Sequence, residues 1–347
     1  MIRYFFLLLL LASCAAEPEF IPRNFNRVEV REVFSDSVSI RAITLMGQNL
    51  AFSGSNNTYG FYNSATGAAR SSRIRIDSVN TEFRAVAATS ADFFMLSTGN
   101  PALMFKTGNS GEMELAYMEE HEQVFYDAMA FWNDQEGIAM GDPTEGCISV
   151  IITRNGGRSW KKLSCDELPS AAAGEAAFAA SDTNIAIIGD HTWIATGGAR
   201  SRILYSPDKG MTWEVFDTPV IQGTSTQGIY SIDFYDEKTG FAIGGDYTQP
   251  EQNAANKAVT TDGGKTWSLV GVGKAPGYLS CVQYIPGRKG KELVAVGFQG
   301  IWFSSDGGAN FSKISDEPFY TLRFNSDSTA FAAGKNRIAV LTFEENP

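Results

Sequence analysis

One eight-residue string returns three times, and no other feature limits the possible folds of this chain as strongly. It reads Ser206-Pro207-Asp208-Lys209-Gly210-Met211-Thr212-Trp213, then Thr260-Thr261-Asp262-Gly263-Gly264-Lys265-Thr266-Trp267, then Ser304-Ser305-Asp306-Gly307-Gly308-Ala309-Asn310-Phe311. A weaker copy runs from Thr153 through Asn155, Gly156 and Gly157 to Trp160, and residues 63–67 and 106–111 are eroded versions. Each part of the string has a physical task. An Asp or Asn side chain can bond backbone N–H groups and hold a turn. Gly supplies the positive φ of a tight hairpin. The aromatic opens the next strand and can bury a large apolar area against a neighbouring unit. Asp208, Asp262 and Asp306 are therefore expected to lock hairpins, and Trp160, Trp213 and Trp267 to pack between units.

A strand pair precedes each copy. Tyr126 to Phe131 is followed by a turn and by Ile138-Ala139-Met140-Gly141-Asp142; Tyr230 to Tyr235 is followed by Phe241-Ala242-Ile243-Gly244-Gly245-Asp246. Degenerate copies end at Gly54, Gly99, Gly189, Gly297 and Gly334. The spacing matches the roughly 40–50 residues of a propeller blade. In each repeat the strand pair and the octamer supply four strands, the third and fourth being, for example, Arg202 to Tyr205 and Thr212 to Phe216. The seventh repeat has only three: Tyr320 to Phe324, Thr329 to Ala333 and Ile338 to Phe343. Residues 28–34 alternate with period two and can supply the missing strand, which removes exposed sheet edges. The expectation is an all-β, seven-bladed β-propeller of four-stranded antiparallel blades over residues 27–344, with the N-terminal strand closing the last blade.

Composition narrows the function classes. The 347 residues carry a net charge of −11, and a nucleic-acid binder would show a basic excess. The two histidines, His121 and His191, exclude a multi-histidine metal centre. No contiguous Ca²⁺ ligand loop is present, so neither metal nor cofactor is expected. At the N-terminus Met1-Ile2-Arg3 precedes an apolar run that ends in small residues, the pattern of a secretory signal over residues 1–13. It is shorter than the roughly 20 residues of a membrane span. Outside the cytoplasm disulfides are permitted. Cys147 and Cys165 flank the hairpin at Asn155-Gly156-Gly157, where a cross-strand disulfide and two buried thiols both fit. Cys281 sits in an apolar strand and reads as core.

Two resemblances add to this reading. Leu11-Ala12-Ser13-Cys14 is similar to the bacterial lipobox, which implies cleavage before a lipidated Cys14, a tether over residues 14–26 and residence in the cell envelope on a bacterial membrane. The octamer resembles the Asp-box, or bacterial neuraminidase repeat. A lipobox followed by about seven such blades resembles the photosystem II stability and assembly factor family and its non-photosynthetic bacterial relatives. That resemblance covers about residues 28–343. It implies a monomeric propeller used as a protein-binding or assembly module, with an envelope protein or glycan as partner, no nucleic acid and no catalytic residues. The alternative within Asp-box proteins is a sialidase-like glycoside hydrolase. It would need an arginine triad, a Tyr–Glu pair and an acidic residue, and the nearest string to its N-terminal motif, Phe20-Ile21-Pro22-Arg23, has the wrong order.

In a propeller the loops between second and third strands share one face with the blade-to-blade links. The octamer hairpins lie on the other. Second strands that end in Asp142, Asp190 and Asp246 therefore predict a rim on the loop face. The candidate binding residues there are Asp142, Glu145, Asp190, His191, Trp193, Arg200, Asp246 and Tyr247, with Glu119, Glu120 and Glu122 adding negative charge nearby. They read either as an acidic, aromatic-containing patch for a partner or as Asp residues that each cap their own turn. A basic cluster of Arg70, Arg73, Arg75 and Arg84 marks blades one and two. It reads either as a dock for an acidic partner or as an ordinary solvated strand face.

Overall fold

Blade three shows how the repeat becomes structure in the computed structural model, which describes residues 20–76 and 80–345. Tyr126–Phe131, Gly137–Pro143, Ile148–Thr153 and Lys161–Lys162 pair antiparallel in that order. Met129 lies opposite Ala139, and Ala139 opposite Ile151. Side chains alternate across a strand, so these three pack toward blade two. Ala128, Met140 and Val150 pack toward blade four. Both faces of a blade are buried by its neighbours, which is why the strands read as continuous apolar runs.

Seven such blades form a ring. The inner strands Ala42–Met46, Phe83–Ala88, Tyr126–Phe131, Ile185–Ile188, Gln227–Phe234, Cys281–Tyr284 and Thr321–Phe324 neighbour one another in sequence order, and the first also meets the last. No helix occurs among the described residues. Closure uses the N-terminal strand. Phe25–Ser39 pairs with the second half of Thr329–Glu345, with Val28 opposite Phe343 and Val30 opposite Leu341. The first half of that long strand pairs with Thr321–Phe324. The strand begins at Phe25 and runs to Ser39, beyond the expected residues 28–34 at both ends. Two residues before Phe25, Arg23 is held by a double contact, its backbone N–H to Glu292 Oε1 at 2.9 Å and its Nε–H to Glu292 Oε2 at 2.7 Å. The expected signal segment, the lipobox with Cys14 and the first part of the tether lie outside the described residues.

Blade four departs from the expected spacing. Its first two strands are Ile185–Ile188 and His191–Ala195, so Gly189 and Asp190 form the hairpin between them. Gly189 has φ 59° and is a turn glycine, whereas the repeat reading takes it as the end of a second strand. The residues displaced by this shift cross the ring axis. Arg41 of blade one donates to Ala180 O, and Thr321 and Arg323 of blade seven donate to Ser181 O and Asp182 O. The Ser181 hydroxyl donates to Ser280 O of blade six. The Asp182 carboxylate accepts from Val86 N of blade two at 3.1 Å and from Met129 N of blade three at 3.0 Å. Asp182 sits at φ 58°, a left-handed conformation that Asp tolerates better than most residues. Residues 177–183 thus floor the axial channel with contacts to blades on every side. Cys147 and Cys165 are joined as a disulfide, with Cα atoms 5.4 Å apart. Cys281 is a buried free thiol.

Candidate functional site

Above this floor, on the loop face, a depression of about 530 Å³ opens on the axis. Its two sides differ in chemistry. Blades four to six contribute aromatic rings: Phe178 stacks on Tyr230 at 3.9 Å, Tyr278 meets Tyr230 edge-on at 4.7 Å, and Phe298 lies 5.3 Å from Tyr278. Tyr247 closes the wall 6.5 Å from Tyr230 and is half exposed. Such rings present wide, rigid surface at little conformational cost.

Blades one to three contribute charge. Arg41 lies over the Tyr320 ring at 4.1 Å, its Nε buried without a hydrogen-bond partner. Burial, and then the nearby Arg84 charge, lower its pKa. Arg84 pairs with Glu82 at 2.5 Å. Asp142 ends the second strand of blade three and accepts from Ala177 N at 2.7 Å. Burial pushes its carboxyl up to about 6, against that hydrogen bond. Asp127, fully buried in the inner strand behind it, is pushed well above the ordinary carboxylate range by burial and then by the Asp142 charge, with Arg84 and the Ala179 amide opposing. Neither Asp127 oxygen has a well-formed hydrogen bond. Among the described residues no cluster of His, Cys, Asp and Glu is arranged to hold a metal ion.

The expected site residues divide into four groups. Asp142 and Tyr247 line the depression. Asp246 stands beside it, but its carboxylate is turned to the Thr248 N–H at 2.9 Å and the Thr248 hydroxyl at 2.6 Å. Burial raises its pKa and these bonds outweigh that, leaving it below the ordinary value. Glu145 and Arg200 are exposed on the same face outside the depression, Arg200 paired with Asp217 at 2.7 Å. Asp190, His191 and Trp193 are not on the loop face at all, because of the shifted hairpin of blade four. Asp190 faces Lys209 at 3.4 Å. His191 Nδ1 meets the Tyr205 hydroxyl at 2.5 Å. Trp193 is fully buried, stacked on Phe234 at 3.8 Å, with its indole N–H on Gly263 O.

Sequence reasoning missed Arg41, Phe178, Tyr230, Tyr278, Phe298, Tyr320 and Asp127. Asp127 carried a signal, a lone carboxylate in an otherwise apolar strand. The others stand singly in strands, hairpins and links, and no motif marks them as a site.

The octamer residues form turns on the opposite face. Asp208 accepts from Thr212 N at 2.8 Å and from the Thr212 hydroxyl at 2.7 Å; Asp262 repeats this with Thr266, and Asp306 with Asn310 N and Nδ2. Their carboxylates are consumed inside their own turns. Trp160 packs edge-on to Phe94 and Phe131, Trp267 edge-on to Phe234, and Trp213 joins the cluster between blades three and four. The Tyr–Glu arrangement a sialidase would need has one counterpart among the described residues, Glu119 Oε2 accepting from Tyr117 and Tyr126 at 2.7 Å each. Burial first raises both tyrosines, the wrong direction for a nucleophile. Arg23 is bound to Glu292 at the hairpin between the first two strands of blade six, on the face away from the depression.

Comparison with known proteins bears on the fold. The family model for the BNR/Asp-box repeat matches residues 258–269, the octamer of blade five with its flanks. No curated protein matches the chain in sequence. Among solved structures, YCF48 from Cyanidioschyzon merolae is similar with a TM-score of 0.66 at 12% identity, over 92% of this chain and 100% of that one. A structure of YCF48 bound to D1 peptide gives 0.64 at 12% identity, over 94% and 100%. The structure of U3-55K gives 0.63 at 12%, over 93% and 100%. The chain is a seven-bladed β-propeller that carries a BNR/Asp-box repeat at residues 258–269 and resembles YCF48 in fold.

Proposed function

We propose that this chain is a binding module that holds a partner protein at the axial depression and does no chemistry on it. One observation carries this reading: a single depression sets an aromatic wall opposite the stacked Arg41, whose buried Nε has no hydrogen-bond partner. A peptide segment can lay apolar side chains on the wall and an acceptor against the guanidinium. The YCF48 structure with a bound D1 peptide supports a peptide as the class of occupant. Lipidation at Cys14 would hold the module at a membrane of the cell envelope, since more than one acyl chain gives stable anchoring. A glycoside hydrolase needs two carboxyl groups at the substrate, roughly 5–9.5 Å apart. Here Asp127 is sealed beneath the surface, which leaves Asp142 alone in the depression.

The test is a photo-crosslinking residue placed at Tyr247 in the full chain, with the same residue at Asp190 as the control. Capture of one membrane or envelope protein from Tyr247 and not from Asp190 is the expected result. Equal capture from both positions, or turnover of aryl glycosides or sialosides, overturns the proposal.

A further inference from the structure

On the hairpin face the octamer glycine packs flush in some blades and not in the eroded turns of blades one and two, where nothing lies within 4 Å of a Cβ added at Gly67 or Gly111. In blades three to six a glycine of each octamer turn lies flush against the preceding blade. A Cβ added at Gly264 would meet the Trp193 ring at 3.0 Å, and one at Gly210 would meet Ile152 at 2.7 Å. At Gly157 and Gly308 it would run into Phe94 and Phe241. Gly111 holds the same place in the eroded turn of blade two, and nothing lies within 4 Å of its added Cβ. That turn is one residue shorter. Its closing pair is Thr107 with Met113, so a methionine stands where the other blades place Trp or Phe. Between blades one and two the inner seam is packed by Phe61, Phe93 and Met113, and its rim on the hairpin face stays open. A groove of about 680 Å³ lies in it, walled by Met46, Phe61, Tyr62 and Ala68, with the Thr89 and Ser90 turn on the far side.

One cation enters this apolar groove. Arg70 lies opposite Phe61 on the outermost strand of blade one and lines the opening. Arg73 and Arg75 follow on the same edge, exposed. None of the three has an ion-pair partner among the described residues, in a chain whose net charge is −11. Asn49 and Asn63 line the groove as well. Their side-chain oxygens are used by the Ser64 and Thr66 amides, at 3.2 and 3.0 Å, which leaves their NH₂ groups as donors for a main chain.

We propose that this groove is a second docking site, separate from the axial depression, for a peptide segment that buries one aromatic side chain beside a carboxylate. The aromatic lies on the apolar lining of Met46, Phe61 and Tyr62. The carboxylate pairs with Arg70, and the flanking main chain meets the asparagines. A volume of this size fits one large side chain with its neighbours, and the polar rim suits an extended peptide better than an acyl chain.

The probe is a fluorescent eight-residue peptide with a central Asp-Phe-Glu, measured by anisotropy against the full chain. The same peptide with Lys-Phe-Lys at its centre, and vesicles containing anionic lipid, serve as comparisons. Arg70→Glu is expected to weaken binding of the acidic peptide at least tenfold. Ala68→Trp, which sets an indole across the groove from an exposed position, is expected to do the same; both should leave the melting temperature unchanged. A Tyr247→Ala chain should bind this peptide as the parent does. Equal binding of the two peptides, no effect of either groove variant, no binding at millimolar peptide, or vesicle binding that Arg70→Glu abolishes while the peptide stays unbound would each overturn the proposal. If one groove variant fails to fold, the other decides the matter.

Discussion

On the hairpin face, Asp208, Asp262 and Asp306 make the same hydrogen bonds in three different blades. On the loop face, the residues lining the axial depression share no repeated bonding pattern. Arg41 stacks on Tyr320, Asp142 accepts from the crossing segment, and Tyr230 is sandwiched between blades four and six. One face is a local rule repeated; the other is assembled from single residues that only the closed ring brings together. The lesson is a division of labour: repetition supplies rigidity, and departure from it supplies a site.

The contrast can be broken by substitution. The largest effect belongs to Trp193, whose ring is fully buried between blades four and five. Trp193→Ala is expected to cost about 3–5 kcal/mol by urea unfolding; a loss near 1 kcal/mol would mean that the seam is not held by aromatic packing. Asp208→Ala removes a partly buried turn lock and should cost about 1–2 kcal/mol, with Asp208→Asn recovering most of it. A change in partner capture without loss of stability would instead move function to that face.

Asp142 offers a pH-dependent test of the loop face. Its carboxyl titrates near 6 in the fold, against about 3.9 in an unfolded chain. Between about pH 4 and 6 the folded state therefore binds more protons than the unfolded one, and stability falls as pH rises through that window. Asp142→Asn should remove this fall, gaining about 1–2 kcal/mol at pH 8 and nothing below pH 4. A gain of equal size at both ends would show that the effect is packing. The smallest expected change in stability is at Tyr247. Its half-exposed ring should cost within about 0.5 kcal/mol on Tyr247→Ala, while capture at the depression drops several-fold. Unchanged capture would separate the depression from binding.

The same division decides what can be read from the chain alone. The blade number, the closing strand and the octamer locks follow from spacing and from residue types with narrow conformational tasks, so they are legible. Blade four misleads because Gly189 fits two roles, and only the burial of Trp193 to Ala195 selects the hairpin glycine. The depression is mostly illegible because its residues come from all seven blades, and no motif marks them as one site. Asp142 and Tyr247 were found since they end or follow a repeated strand. Arg41 and Tyr320 were not, because their pairing joins the first blade to the last.

Arg23 has a mechanical consequence. With Arg288 it grips the two oxygens of the fully buried Glu292 carboxylate, and Arg288 also donates to Ile21 O. This bundle lies upstream of the closing strand and on the side of the ring that carries the hairpins. A pull on the chain ahead of Phe20 is met first by two guanidinium groups on one carboxylate, so the ladder from Phe25 onward is shielded from being peeled open. A load applied ahead of Phe20 therefore enters the molecule on the side opposite the aromatic wall.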